Sequence, residues 1–338
     1  MTAPARSCPR HGIKHWLRSA QAGLLGLMLT LGATAALAQP LTLAVARTPL
    51  SLPIYVAGEK GYFVAEGIDL RLSDCIGGHR CIKQMLDNQA DLATVSELPI
   101  VFNAFERNDF AVLGTFATTS EDMKMVAHAR SGVSKPMHLA GKRVGVVIGT
   151  SSQYFLELYL LTVGVDPASL TMVPLQPEKM PEALATGTVD AIAAWEPHAY
   201  LATRALGGST VVLPNTSGYL LTFNLVGHRR LVGTRDADLA RLLRAVERAE
   251  QFIHDHPEEA KAILRTRLQL DQGFIDWVWS GFNYRLGLEQ SLITTMEGEA
   301  RWARRSGHVK GKTSPNFLGL LHTAPLKSVK PGAVGVAR

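Results

Sequence analysis

Two stretches of the sequence, about one hundred residues apart, follow the same plan, and a chain that repeats one programme of strands and helices has few folds open to it. The first runs from Leu41 to Pro99 and the second from Val144 to Pro197. Each opens with an apolar strand candidate, 41–46 or 144–148, that enters a small polar loop, Arg47-Thr48-Pro49 or Gly149-Thr150-Ser151-Ser152. A helical segment, a turn (Gly67-Ile68-Asp69 or Gly164-Val165-Asp166) and a second strand candidate follow, at 69–72 or 170–175. After another helix, each stretch enters a third strand from an aspartate, Asp91 or Asp190. Both leave it through an acid near a proline, Ser96-Glu97-Leu98-Pro99 or Trp195-Glu196-Pro197.

Strands alternating with helices imply βαβ units, because a parallel partner is reached only through a long crossover. The expectation is an α/β fold with two similar lobes, built on two parallel-rich sheets flanked by helices. Loops leaving the carboxyl ends of parallel strands are where open α/β sheets bind ligands, so facing lobes would line one cleft from both sides. The plainer alternative is that supersecondary patterns recur in α/β chains without shared meaning.

The N-terminus reads as an export signal. Arg6, Arg10, Lys14 and Arg18 form a basic start, 22–36 an apolar run, and Ala36-Leu37-Ala38 a small-residue site with cleavage after Ala38. The expected working protein is 39–338, in the periplasm. The apolar run is shorter than the ~20 residues of a bilayer span. No cysteine follows it to carry a lipid, and Cys8 leaves with the leader.

Removing those four positive charges leaves 31 basic against 29 acidic residues, so the formal +6 falls to +2. That balance makes no case for a nucleic-acid surface. The late basic run Arg301, Arg304, Arg305, Lys310 and Lys312 reads as a solvated helix end and loop.

Two cysteines remain, Cys75 and Cys81, flanking Ile76-Gly77-Gly78-His79-Arg80 where the second strand should pass into a helix. An exported compartment oxidises such pairs, and a disulfide would hold the loop's shape; free thiols are the alternative. Closing so small a ring stabilises a fold by at most ~2–3 kcal/mol on the entropy account.

Gly149-Thr150-Ser151-Ser152 reads as a glycine turn and a helix N-cap. A helix start offers unpaired N–H groups and partial positive charge, and hydroxyls beside it add donors, so the site suits a sulfonate, carboxylate, nitrate or phosphate. Plain capping is the alternative. Trp195 at a strand end offers a flat wall, and Glu196 an acceptor for an amine or ring nitrogen; a core tryptophan with a solvated acid is the alternative. In the first stretch Ser96 and Glu97 hold the matching place, Thr48 matches Thr150, and Gly77-Gly78-His79 permits close backbone approach with His79 or Arg80 as a donor. No catalytic set emerges, and no cofactor is expected. His254-Asp255-His256 sits at a helix end before Pro257, where polar residues are ordinary, so no metal is expected either. Trp277 and Trp279 are read as packing residues.

With these residues in view, the chain resembles the nitrate-, sulfonate- and taurine-type solute-binding proteins of ABC transporters, a family that also holds pyrimidine-precursor binders. The resemblance is carried by Pro53-Ile54-Tyr55-Val56-Ala57 through Gly61-Tyr62-Phe63 and Glu66-Gly67-Ile68, by Leu139-Ala140-Gly141-Lys142-Arg143-Val144-Gly145, by Gly187-Thr188-Val189-Asp190-Ala191 through Trp195-Glu196-Pro197, and by the tail Pro325-Leu326 to Lys330-Pro331. It implies a two-lobe periplasmic-binding-protein-like fold of type II in which the chain crosses between lobes near 124–128 and 221–226. The lobes would comprise 39–125, 126–225 and a return over 226–338. It implies hinge closure on a ligand held by Thr48, Gly77, Ser96, Thr150, Ser151, Trp195 and Glu196, with Gly78, His79, Glu97 and Ser152 beside them. The partner would be an ABC permease in the inner membrane, served by a monomer that is not an enzyme. An enzyme of the related pyrimidine-synthase type and a periplasmic sensing module are the competing functions. The 75–81 loop and Thr118-Thr119-Ser120-Glu121-Asp122 match no known substrate subgroup, which leaves the ligand open.

Overall fold

The computed structural model describes residues 1–5, 39–310 and 313–337. The export-signal reading over 6–38, with its cleavage after Ala38, and Lys312 lie outside the described residues. Residues from Pro40 onward form one compact unit. No described helix is long and apolar enough to cross a membrane.

The unit contains two sheets. Strands β1 (Leu41–Ala46), β2 (Leu70–Cys75), β3 (Leu92–Ser96), β4 (Phe110–Thr119), β10 (Leu221–His228) and β11 (Phe282–Asn283) pair in the order β11-β4-β10-β3-β1-β2. Strands β5 (Lys124–His128), β6 (Arg143–Val146), β7 (Thr171–Pro174), β8 (Ala191–Ala194) and β9 (Thr210–Leu213) pair in the order β7-β6-β8-β5-β9. β1, β3, β8 and β10 are buried almost throughout, the pattern of strands covered on both faces.

The internal echo is present atom by atom. In each sheet the first strand lies between the second and the third, all parallel. Asp91 Oδ2 accepts the Thr42 N–H at 3.0 Å, and Asp190 Oδ2 accepts the Arg143 N–H at 2.8 Å. The Asp91 carbonyl accepts the His228 N–H at 3.1 Å, and the Asp190 carbonyl accepts the His128 N–H at 3.1 Å. An aspartate entering the third strand thus pins the first strand and an antiparallel neighbour in both sheets.

The expected α/β sheets flanked by helices are present, and that neighbour makes both of them mixed. β10 runs antiparallel to β3 and β4, and β5 antiparallel to β8 and β9. The reason is connectivity. β5 opens the second sheet after the chain leaves β4, and β10 re-enters the first sheet after β9. The apolar, strand-like runs expected near the crossings, 124–128 and 221–226, are strands β5 and β10, each adjoining a pass between the sheets. The passes between sheets are 120–123 and 214–220, tied together where Asn215 Nδ2 donates to the Ser120 carbonyl at 2.8 Å.

Helices cover both sheets: α1 (Leu52–Glu59), α2 (Gly78–Leu86), α3 (Glu97–Glu106), α4 (Ser151–Thr162), α5 (Met180–Ala185), α6 (His198–Leu206), α7 (Asp236–Asp255), α8 (Pro257–Leu268), α9 (Gln272–Val278) and α10 (Gln290–Arg305). α7 and α8 pack on α1, and α10 on α3, so the late helices return to the side of the first sheet. Ion pairs Arg244–Glu66 and Lys60–Glu259 join the same surfaces.

Candidate functional site

The residues that border the cleft between the sheets sit just past the carboxyl ends of the parallel strands. Thr48 follows β1, Gly77, Gly78 and His79 follow β2, and Ser96 ends β3; opposite them Thr150 and Ser151 follow β6 and Trp195 follows β8. Parallel strands point their ends the same way and each turn hands the chain to a helix start, so helix N-termini converge there. The cavity enclosed between these walls is small, about 30 Å³.

Local chemistry fixes each wall. Thr48 Oγ1 caps its helical turn by accepting the Leu50 N–H, and Thr150 Oγ1 does the same for Ser152. Ser96 precedes α3 and Ser151 opens α4, and their hydroxyl oxygens lie 3.0 Å apart across the cleft. Gly77 has φ +81°, and a Cβ there would meet His79 Cε1 at 2.7 Å and Trp195 Cζ2 at 3.2 Å. A Cβ on Gly78 would lie 2.7 Å from Val95 Cα. These two glycines let α2 start directly against β3. Cys75 and Cys81 are disulfide-bonded around them.

His79 and Trp195 meet edge to face at 6.1 Å, and His198 also packs edge to face on the indole at 5.9 Å. Burial, reinforced by the nearby Arg80 charge, lowers the His79 pKa to about 4, so this imidazole is neutral at neutral pH. Burial also lowers His198 to about 4. Arg80 points across the mouth instead, donating to Gln176 Oε1 at 2.6 Å and Glu178 Oε1 at 2.9 Å. No lysine or arginine lines the cleft among the described residues. An anion there is met by hydroxyls and helix starts rather than by a cation.

Three expected ligand residues do not line it. Glu97, the first residue of α3, turns back into the protein; its carboxylate accepts from the Tyr219 hydroxyl and, at 2.8 Å each, from Thr222 N–H and Oγ1. Burial raises its pKa. Ser152 donates to the Ala193 carbonyl at 2.6 Å and accepts the Val147 N–H, tying α4 to β8 and β6. Glu196 accepts the Tyr200 N–H at 3.0 Å and the Trp277 indole N–H at 2.5 Å, and burial raises its pKa to about 7. Trp277, read as a packing residue, is 38% exposed and spends its indole N–H on Glu196.

Sequence reasoning missed the apolar lining and one acid. Leu221 and Phe223 border the cleft from alternate positions of β10, a period-two signal that the sequence displays. Leu50, Pro99, Met123 and Asp122 complete the border. Asp122 is 2% exposed and its Oδ1 has no hydrogen-bond partner among the described residues. Among those residues there is also no group of three or more His, Cys, Asp or Glu side chains placed to hold a metal.

The fold agrees with that of known proteins. The alkanesulfonate-binding protein SsuA from Xanthomonas axonopodis pv. citri, solved bound to MOPS, superposes with a TM-score of 0.75 at 16% identity over 84% of this chain and 98% of that one. A desulfurization enzyme, DszB, shares the fold with a TM-score of 0.60 at 16% identity over 86% of this chain and 99% of that one, so the fold alone does not separate receptors from enzymes. In sequence, the chain is 25% identical over 229 residues to a protein of Bacillus subtilis (strain 168) provisionally named as an aliphatic sulfonates-binding protein, covering 66% of this chain and 69% of that one. It is 23% identical over 252 residues to the taurine-binding periplasmic protein of Escherichia coli (strain K12), covering 74% and 71%. The NMT1/THI5-like profile matches residues 48–260, and the chain belongs to the NMT1/THI5-like family.

Proposed function

We propose that the protein is the periplasmic substrate-binding component of an ABC importer, which closes its two lobes on a small organic anion or zwitterion of the sulfonate class and delivers it to a membrane permease. The observation that carries this reading is the Ser96–Ser151 contact. Two hydroxyls at helix starts from opposite sheets converge within 3.0 Å, in a cleft without lining cations. Neutral donors at helix termini suit a compact anion that must be released as well as held. The sulfonate- and taurine-binding relatives support the substrate class. On this reading the export signal ends at Ala38, the receptor is a monomer, and 39–125, 126–225 and 226–338 divide it into first lobe, second lobe and return.

A thermal-shift screen of the purified protein against alkanesulfonates, taurine, nitrate, aromatic acids and pyrimidines tests it. A ligand at 100 times its dissociation constant stabilises the protein by ~2.7 kcal/mol. A sulfonate among the strongest shifts is the expected result; stabilisation by pyrimidines alone would reverse the assignment.

A further inference from the structure

The segment 118–122, which matched no substrate subgroup in sequence, delivers Asp122 to the cleft from the first pass between the sheets. The carboxyl group is almost fully buried at 2% exposure, and Oδ1 has no partner among the described residues. Among the groups that act on it one cation is named, Lys124, and it is shared. The Glu196 main chain hydrogen-bonds it and the Glu196 carboxylate opposes it, while Lys124 favours its charge from a distance and hydrogen-bonds Glu121 Oε2 at 2.9 Å rather than Asp122 Oδ1. Glu97 adds further negative potential, and Tyr284 beside it is neutral.

A buried carboxyl oxygen without a partner is costly, and a simple anion would meet this group only by taking a hydrogen bond from its protonated form. Everything else about the site favours negative charge at the helix starts. The two features together describe a cavity with donors at one wall and an acceptor at the crossing. We infer that Asp122 is the subsite for a protonated amine, so that the cleft is built for an amino-sulfonate or a similarly compact zwitterion in preference to a plain alkanesulfonate. The inference rests on the anion-binding reading above and adds the second charge. Burial and the neighbouring Glu196 hold the Asp122 pKa well above the usual carboxylate range in the empty cleft. Arrival of an ammonium group supplies the counter-charge that lets the carboxylate ionise.

The test is isothermal titration of the purified protein with taurine and with ethanesulfonate, which share the sulfonate and differ by the amine. Taurine is expected to bind at least about tenfold tighter, the usual worth of a hydrogen bond to a charged group. In Asp122→Asn that preference is expected to disappear while ethanesulfonate affinity is kept or improved. Asparagine retains a donor, so an acid that merely donated to the anion would be replaced without loss, and the preference would survive. Equal binding of the two sulfonates by the unaltered protein overturns the amine subsite and leaves the anion reading intact. Should neither sulfonate bind, the sulfonate reading fails, and β-alanine against propionate decides the subsite by the same preference and the same variant. Binding of none of the four overturns both.

Discussion

The Oγ atoms of Ser96 and Ser151 lie 3.0 Å apart, one hydroxyl at the end of a strand in the first sheet and the other at a helix start beside the second. The contact is the centre of a chain of polar groups. Ser151 also hydrogen-bonds Tyr219, whose hydroxyl donates to Glu97, and Glu97 lies near Glu299 on α10, whose carboxyl oxygens have no hydrogen-bond partner among the described residues. The candidate cleft is thereby connected through Tyr219 to Glu97, which is buried with Glu299 between α3 and α10.

That pair predicts a pH dependence of stability. Burial raises both the Glu97 and the Glu299 folded-state pKa above the unfolded value of about 4.5, and the neighbouring Glu97 raises Glu299 further. The folded protein then holds protons that the unfolded chain releases, so stability is greatest below pH ~4.5 and is lost as pH rises toward the folded pKa values. Tyr154 and Tyr219 face the same pair and stay neutral, because burial raises them too. Glu299→Gln removes one titrating member. Urea denaturation is expected to show the variant more stable than the parent at pH 8, with the gap shrinking toward pH 4.5.

Gly78→Ala tests the close approach of α2 to β3. The added carbon meets the Val95 backbone at 2.7 Å, and backbone cannot swing away as a side chain would. A loss of about 1–3 kcal/mol is expected, as for other overpacked sites. Comparable substitution at Gly61, where nothing lies within 4 Å but φ is +68°, strains the chain through its dihedral instead. Denaturant midpoints at unchanged m-value check the first prediction.

Arg80→Ala removes the clasp to Gln176 and Glu178 across the mouth. Both charged side chains are about a third exposed, 32% and 40%, so solvent screens the pair. Such pairs contribute ~0–1 kcal/mol. Affinity is expected to fall by no more than about fivefold, through faster dissociation, and the difference from the parent is expected to shrink in high salt. Stopped-flow release rates at two ionic strengths measure it.

Trp277→Phe leaves the buried Glu196 Oε1 without its donor. An unsatisfied buried acceptor costs about 1–3 kcal/mol. The Glu196 pKa, now about 7, is expected to rise, since the Trp277 hydrogen bond is the largest influence lowering it. Denaturation at pH 6 and pH 8 is expected to show the larger loss at pH 8, where the unpaired carboxylate has to be charged.

The parts of the site that the sequence displayed are those set by local chemistry. Thr48 and Thr150 were legible because capping a turn after a strand involves neighbours two residues away. Asp91 and Asp190 marked the echo, and the structure gives them the same bonds in each sheet. Glu97 and Glu196 occupied the right places in the chain, yet their partners, Tyr219, Thr222 and Trp277, lie 81 to 125 positions away, and those partners turn the carboxylates out of the cleft. Asp122 was named without a role for the same reason: its placement depends on where the crossing falls. The two α/β sheets were legible, whereas the antiparallel direction of β5 and β10 follows from passes between sheets that local patterning does not encode.

The account as a whole stands on ligand binding between Ser96 and Ser151, against Trp195. Isothermal titration of the parent, Ser151→Ala and Trp195→Ala with the compound giving the largest thermal shift tests this most directly. Loss of one hydrogen bond to a charged ligand predicts an affinity lower by about tenfold or more in Ser151→Ala. Loss of the indole wall predicts a comparable fall in Trp195→Ala. Unchanged affinity in both variants would contradict the assignment of this cleft as the ligand site.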